Sequence, residues 1–290
     1  MTKIKESELV LTENNTVYHI RARQENVSEN IILVGDPGRV PEISSYFEKI
    51  EFKMMNREIC THTGLYNNKR VSVISTGMGP DNIDIIMNEL DAIFNIDLDK
   101  REIKDQHTTL NIIRMGTSGA LQPDLEVDSF LMSEYGLGLD GMIHFYKDEK
   151  NIFENEMTEA FIKHTSWADN LPTPYIVKAS DILINKIGEG LNKGITATAP
   201  GFYGPQGREL RLKLAYPDIN SKIESFRFND KRIANLEMET SALYGLGAML
   251  GHETLTVCVL VANRVTKTFS TNYKIAMKQL TDLILNRITA

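Results

Sequence analysis

Three short runs are apolar at nearly every position: "NIILV" (30–34), "NIIRM" (111–115) and "LTVCVLVA" (255–262). A strand that alternates apolar and polar residues can leave one face in water. A strand apolar on both faces must be covered on both, which is the situation inside α/β proteins. Helix-period segments lie between these runs. From Asp81 to Phe94, Ile83, Ile86, Leu90 and Ile93 share one face, and 271–288 is amphipathic. The alternation predicts an α/β domain with a mostly buried central sheet. Ligands of such sheets bind beyond the carboxyl ends of strands, where this chain puts its Gly-rich turns.

The remaining elements follow from local signals. "NIILVGDPGRVPEISSYF" reads as strand, turn and helix, with Asp36 as N-cap and Pro37 at the first helical position. "REICTHTGLYNNKRVSVISTG" reads as a hairpin around Tyr66-Asn67-Asn68-Lys69, because Asn tolerates left-handed turn positions. A helix is expected over 152–168, strands near 173–179 and 194–199, and a strand-to-helix passage in "NLEMETSALYGLGAMLGH". The polar stretch "NIDLDKREIKDQH" (95–107) reads as a solvated loop or helix end. With no linker or repeat in sight, the expected organisation is one domain over 1–290, with 1–17 as an N-terminal extension.

The formal net charge is −7, which gives no electrostatic footprint for a nucleic-acid backbone or an anionic membrane. An anionic ligand must then be met by a local cluster of arginines. The only cysteines, Cys60 and Cys258, lie in apolar surroundings and suggest a reducing compartment. The first residues lack the apolar core of a signal peptide, and "LTVCVLVA" is too short to span a bilayer. A soluble, cytoplasmic protein is expected.

Three strand ends carry chemistry. In "VGDPGRV", Gly35 feeds a helix start with Arg39 in its first turn, an arrangement that offers free N–H groups to an anion. In "IRMGTSG", Arg114 lies inside an apolar strand, where an unpaired guanidinium is costly, and Thr117 follows on an expected turn. Such an arginine is either ion-paired within the protein or aimed at a ligand. Arg57, in "MNREICT", is a further candidate. In "NLEMETSALYG", Glu237 and Glu239 flank Met238. They either cap the helix, or one of them accepts hydrogen bonds from the vicinal hydroxyls of a sugar.

"VGDPGRV", "STGMG", "IRMGTSGAL" and "NLEMETSAL" occur in the order and at the spacing of the nucleoside phosphorylase family, which the chain resembles from about Tyr18 onward. The resemblance implies a single-domain three-layer α/β/α sandwich with a central mixed β-sheet. It implies phosphate ligands at Gly35, Arg39, Arg114 and Thr117, with Arg57 reaching the phosphate of a neighbouring subunit. Met238 and Glu239 match ribose contacts, with Glu237 beside them, and His19 matches a histidine that crosses the interface toward the ribose. The implied partners are a nucleoside and inorganic phosphate as co-substrate, with no cofactor, metal, nucleic acid or membrane. The implied assembly is a homo-oligomer, a dimer as the minimal active unit or a hexamer. After "STGMG" this chain departs from the family pattern with "PDNIDI", placing Asn82 where a serine is usual.

The loop "GFYGPQGRELR" (201–211) bears on the base. Uracil presents acceptor, donor and acceptor along one edge. Gln206 supplies one donor and one acceptor, and Arg208 supplies donors only. Phe202 can pack on the ring. This pattern resembles the uridine phosphorylase branch of the family, and "VLVANRV" lacks the aspartate that purine-cleaving members use, with Ala262 and Asn263 there instead. The implied activity is reversible phosphorolysis of uridine to uracil and ribose 1-phosphate, with Arg39, Arg114, Thr117, Glu239 and Arg208 carrying the catalysis. A purine nucleoside, deoxyuridine or thymidine is the alternative substrate, and a catalytically idle nucleoside-binding member is a further alternative.

Overall fold

The computed structural model describes residues 3–290. Strand β1 (Asn30–Val34) leads to helix α1 (Arg39–Ser44), and then to the meander β2 (Lys49–Asn56), β3 (Ile59–Tyr66) and β4 (Lys69–Ser75). Helix α2 (Pro80–Asn95) and a small hairpin, β5 (Ile96–Asp97) and β6 (Glu102–Ile103), precede the long strands β7 (Asn111–Ala120) and β8 (Phe130–Gly138). Then come α3 (Asn155–Thr165), β9 (Tyr175–Lys178), α4 (Asp181–Ile187), β10 (Asn192–Thr198), α5 (Ile219–Ser225) and β11 (Arg227–Phe228). The chain ends with β12 (Lys231–Glu237), α6 (Thr240–Leu250), β13 (Glu253–Asn263), β14 (Thr268–Phe269) and α7 (Tyr273–Thr289).

All strands but β5 and β6 join one mixed sheet, in the order β11-β12-β10-β8-β13-β7-β1-β4-β3-β2 with β9 and β14 alongside. The apolar runs behave as expected: Ile31–Val34, Ile112, Ile113, Met115 and Val257–Leu260 are fully buried. Strand β12 pairs in parallel with β10 and antiparallel with β7. The five strands β7, β13, β8, β10 and β12 therefore close on themselves, with β1–β4 continuing the sheet from β7. Register shifts at Gly194/Ile195 and Leu260/Ala262 supply the bending that closure requires. The closure brings the end of β12 against β7, and so Glu237 to Arg114.

The turn at Asn67 and Asn68 is as expected, both with φ near +50 (51° and 57°). Four readings change. Helix α1 begins at Arg39, with Gly38 at the N-cap position, while Asp36 accepts the Gly38 N–H at 2.8 Å and shapes the turn before the helix. Strand β7 does not turn at its glycines: Thr117 pairs with Val259 and Ser118 with Leu260, and the strand runs on to Ala120. Those glycines make room for side chains, since a β-carbon on Gly116 would run into Arg114 Nη1 and Cys258 Sγ. Residues 95–107 contain the β5–β6 hairpin, whose turn is held by Asp97 accepting the N–H groups of Asp99 and Lys100. Helices α4 and α5 carry no periodic signal in the sequence; both have seven residues, too short for periodicity to separate them from loop.

Candidate active site

Arg114 sits in β7 between Leu33 of β1 and Thr256 of β13, and only 4% of its surface is exposed. Its Nη1 lies 3.1 Å from Glu237 Oε2, and its Nη2 donates to Glu239 Oε2. Its Nε is buried and has no acceptor among the described residues, a costly state for a charged donor. Burial works to lower the guanidinium's pKa, but the charges of Glu239 and then Glu237 outweigh it, and the group is held firmly charged.

The two carboxylates do different work. Glu237 ends β12 and accepts the N–H groups of Glu239 (2.9 Å) and Thr240 (3.1 Å) and the Thr198 hydroxyl (2.7 Å). It is the anionic cap of α6, satisfying donors that a helix start leaves unpaired. Glu239, at the N-cap position of α6, accepts the N–H of Gly79 at 2.8 Å. Gly79 has φ +102°, which a side chain would strain. Burial raises the Glu239 pKa; Arg114 pulls it back, and the neighbouring Glu237 charge raises it again.

Backbone contacts tie this centre to the β1–α1 turn. Gly77 N–H donates to Gly35 O at 3.1 Å, two residues before the Gly79 contact with Glu239. Gly35, Arg114, Glu237 and Glu239 thus form one continuous set, with Met238 partly exposed between the carboxylates and Thr117 partly exposed three residues along β7. Arg39, just past the β1–α1 turn, lines a groove between α1 and α7 with Asp36, Tyr46, Tyr273 and Lys278. Arg57 is exposed on the β2–β3 turn with φ 54°. His19 packs on α2: Glu89 accepts its Nδ1–H at 2.6 Å and the N–H groups of His19 and Ile20. Asn82 donates to Met78 O at 3.1 Å.

The 201–211 loop is irregular apart from one 3-10 turn, Gly204–Gln206. Arg208 stacks 3.9 Å above the Phe202 ring and donates through Nη1 to Phe202 O and Gln206 Oε1, both at 2.6 Å. Gln206 is 4% exposed, and its Nε2 donates to no group among the described residues. Arg264, which sequence reasoning passed over, donates through Nη2 to Gln206 O at 2.6 Å, while its buried Nη1 has no partner among the described residues. Burial lowers the pKa of both arginines, and the Arg208 charge lowers that of Arg264 further. Asn263 directs this residue: its Nδ2 donates to Gln122 O and Leu125 O, and its Oδ1 accepts the N–H groups of Val265 and Thr266. The Asn-Arg pair in "VLVANRV" was the available signal.

Both cysteines are free and buried. Cys258 Sγ lies 3.8 Å from Arg114 Nη1, yet burial pushes its thiol up to about 11, so it stays protonated and unreactive at neutral pH. Asp91, His107 and His252 converge at the opposite end of β7 and β13. There Leu110 N–H donates to His252 Nδ1 at 3.3 Å, leaving the ring proton on Nε2, which faces Asp91. A metal would have to displace that proton. No helix among the described residues is long and apolar enough to cross a membrane.

The family model of the phosphorylase superfamily matches residues 29–289. A uridine phosphorylase from Thermococcus kodakarensis is 31% identical over 273 residues, covering 92% of this chain and 84% of that protein. A DeoD-type purine nucleoside phosphorylase from Listeria monocytogenes is 28% identical over 240 residues, covering 82% and 84%. Among solved structures, a Trypanosoma brucei nucleoside phosphorylase that shows uridine phosphorylase activity superposes with a TM-score of 0.86 at 28% identity, over 97% of this chain and 99% of that one.

Replacing Arg114 by Met leaves two buried carboxylates without their cation, and should cost about 3–5 kcal/mol of stability at neutral pH. A carboxyl whose folded pKa exceeds its unfolded value contributes stability below the unfolded value and loses it as pH rises through the folded one. The deficit of Arg114→Met in denaturant titrations should therefore grow as pH rises from the ordinary glutamate value of 4.5 toward neutrality. A deficit independent of pH would assign the loss to packing instead.

Proposed function

Because this chain belongs to the phosphorylase superfamily, we propose that it catalyses the reversible phosphorolysis of uridine to uracil and ribose 1-phosphate. The observation that carries the base assignment is the donor-rich loop: Gln206 Nε2, Arg208 and Arg264 converge where an acceptor-rich edge is needed. Two uracil carbonyls match such a set. The amino group of cytosine meets only donors there, and lost polar pairing of this kind discriminates by roughly 10⁴-fold. Purine cleavage has less support: no carboxylate occupies Ala262 or Asn263, and the Asn263 amide is taken up by backbone groups.

In the proposed reaction, phosphate is bound by Arg114, Thr117, the Gly35 backbone and Arg39, with Arg57 contributed by a partner subunit. Glu239 receives the ribose hydroxyls, Met238 covers the sugar, and Glu237 fixes the helix start that carries both. The glycosidic bond stretches first, giving an oxocarbenium-like ribosyl cation that phosphate stabilises and then captures. Charge develops on O2 and O4 of the leaving uracil, where Gln206 and Arg208 donate. The scheme draws on no cofactor or metal.

The cellular role is pyrimidine salvage in the cytoplasm, a setting that suits the two free cysteines. The minimal active unit is a dimer. Arg57 supports this, since it is exposed and makes no ion pair or hydrogen bond among the described residues; His19 comes from the partner in the same way, toward the ribose 5′-hydroxyl.

Chromatography of a nucleoside panel tests the substrate. Uracil should be released from uridine only when phosphate is present, with cytidine and inosine slower by orders of magnitude. Hypoxanthine released faster than uracil would reverse the assignment. Subunit mixing tests the dimer: Arg57→Ala and Arg114→Lys chains, each inactive alone, should recover about a quarter of wild-type activity after exchange, because half the dimers carry one intact site. No recovery would place both arginines in one subunit's site.

A further inference from the structure

Beside the base loop opens a cavity of about 640 Å³ that shares Arg208 with the proposed base site but holds none of the proposed phosphate or ribose residues. Trp167 and Leu171, between α3 and β9, line it together with Leu212, Leu214 and Tyr216, on the way to α5. Its volume falls in the range of small-molecule sites, roughly 300–1,000 Å³, which are mostly apolar with a few convergent polar groups. Gln206, Glu237, Met238 and Glu239 do not line it; the base loop contributes Tyr203–Pro205, Arg208, Leu210 and Arg211.

Its charge is one-sided. Arg208, Arg211 and Lys213 line the cavity, and no carboxylate among the described residues does, although the chain as a whole carries a net charge of −7. Lys213 is tied to Glu209 at 2.7 Å and Arg208 to the loop itself, whereas Arg211 has no hydrogen bond or ion pair among the described residues. Leu212 is 83% exposed at the rim, a large apolar group without cover. An apolar lining with three aromatic rings, those of Trp167, Tyr203 and Tyr216, and a free guanidinium beside them complements a flat ligand bearing one negative charge.

We propose that this cavity is a second ligand site, which takes a planar aromatic anion of the carboxylate or sulfonate class. The ring system lies against Trp167 and Tyr216, and the charge is met by Arg211 with Lys213 behind it. This assigns a role to the one arginine of "GFYGPQGRELR" that the proposed reaction leaves idle.

Anilinonaphthalene sulfonate, a planar aromatic anion that fluoresces in apolar surroundings, is the probe, and N-phenylnaphthylamine is its uncharged counterpart. Titrated into the native full-length protein, the sulfonate should bind at one site per chain, at least tenfold more tightly than the amine. The doubly substituted Arg211→Glu, Lys213→Glu chain should lose at least tenfold in sulfonate affinity with unchanged circular dichroism and thermal midpoint. Equal affinity for both dyes, or indifference to the charge reversal, would overturn the proposal. So would sulfonate binding that appears only as the oligomer is diluted apart, which would make the cavity an interface between copies. The assay contains no nucleoside, so its outcome is independent of the enzyme's substrate.

Discussion

A single buried guanidinium organises this molecule. Arg114 cannot sit in a fully covered strand without compensation, and the fold supplies it twice, from Glu237 and Glu239. Each carboxylate in turn requires structure around it. Glu237 needs the open N-terminus of α6, and Glu239 needs the Gly79 backbone in a conformation that favours glycine. Gly116 leaves the space that the guanidinium fills. The closure of β12 onto β7 brings the carboxylates within reach. A buried ion pair is seldom worth much net stability against an apolar alternative, which fits a cluster retained for what it binds.

The same geometry accounts for the economy of the proposed site. The cluster has one cation against two anions, and its cation is shared. In the proposed reaction phosphate draws on Arg114, while the sugar draws on Glu239, the residue paired with Arg114 in this structure. In that scheme both ligands meet at one buried contact, to which β7 contributes from within the strand and β1, β4 and β12 from a strand end or the turn beyond it. The residues proposed to recognise the base sit on a separate loop, where Arg208 donates to the Gln206 side chain and Arg264 and Asn220 donate to its backbone oxygen.

Most of the fold was legible because burial on both faces leaves a mark in the sequence that few other arrangements leave. The runs at 30–34, 111–115 and 255–262 are all buried strands, and the α2 face of Ile83, Ile86, Leu90 and Ile93 is fully buried. The misreadings share a cause. Glycine reads as a turn signal in "IRMGTSG", whereas in the fold it relieves crowding by a side chain two residues away. The polar run 95–107 hides a hairpin because its charges are consumed by bonds the sequence does not show: Asp97 holds the turn, while Asp99 pairs with Arg23 and Lys104 reaches Gln24. At the site, Arg114, Glu237 and Glu239 were legible as charges in apolar surroundings. Their mutual pairing was not, since it depends on sheet closure across more than a hundred residues. Arg264 was missed because its reach to Gln206 is set by the Asn263 turn, which only the folded chain reveals.

The central claim is that the Arg114 cluster is where phosphate binds, and calorimetric titration with inorganic phosphate tests it most directly. Arg114→Lys keeps the charge between the two carboxylates but loses the planar fork that matches a phosphate's oxygens. Wild-type protein should bind phosphate, and the Arg114→Lys variant, still folded, should bind it at least tenfold more weakly. Wild-type affinity in the variant would contradict the account.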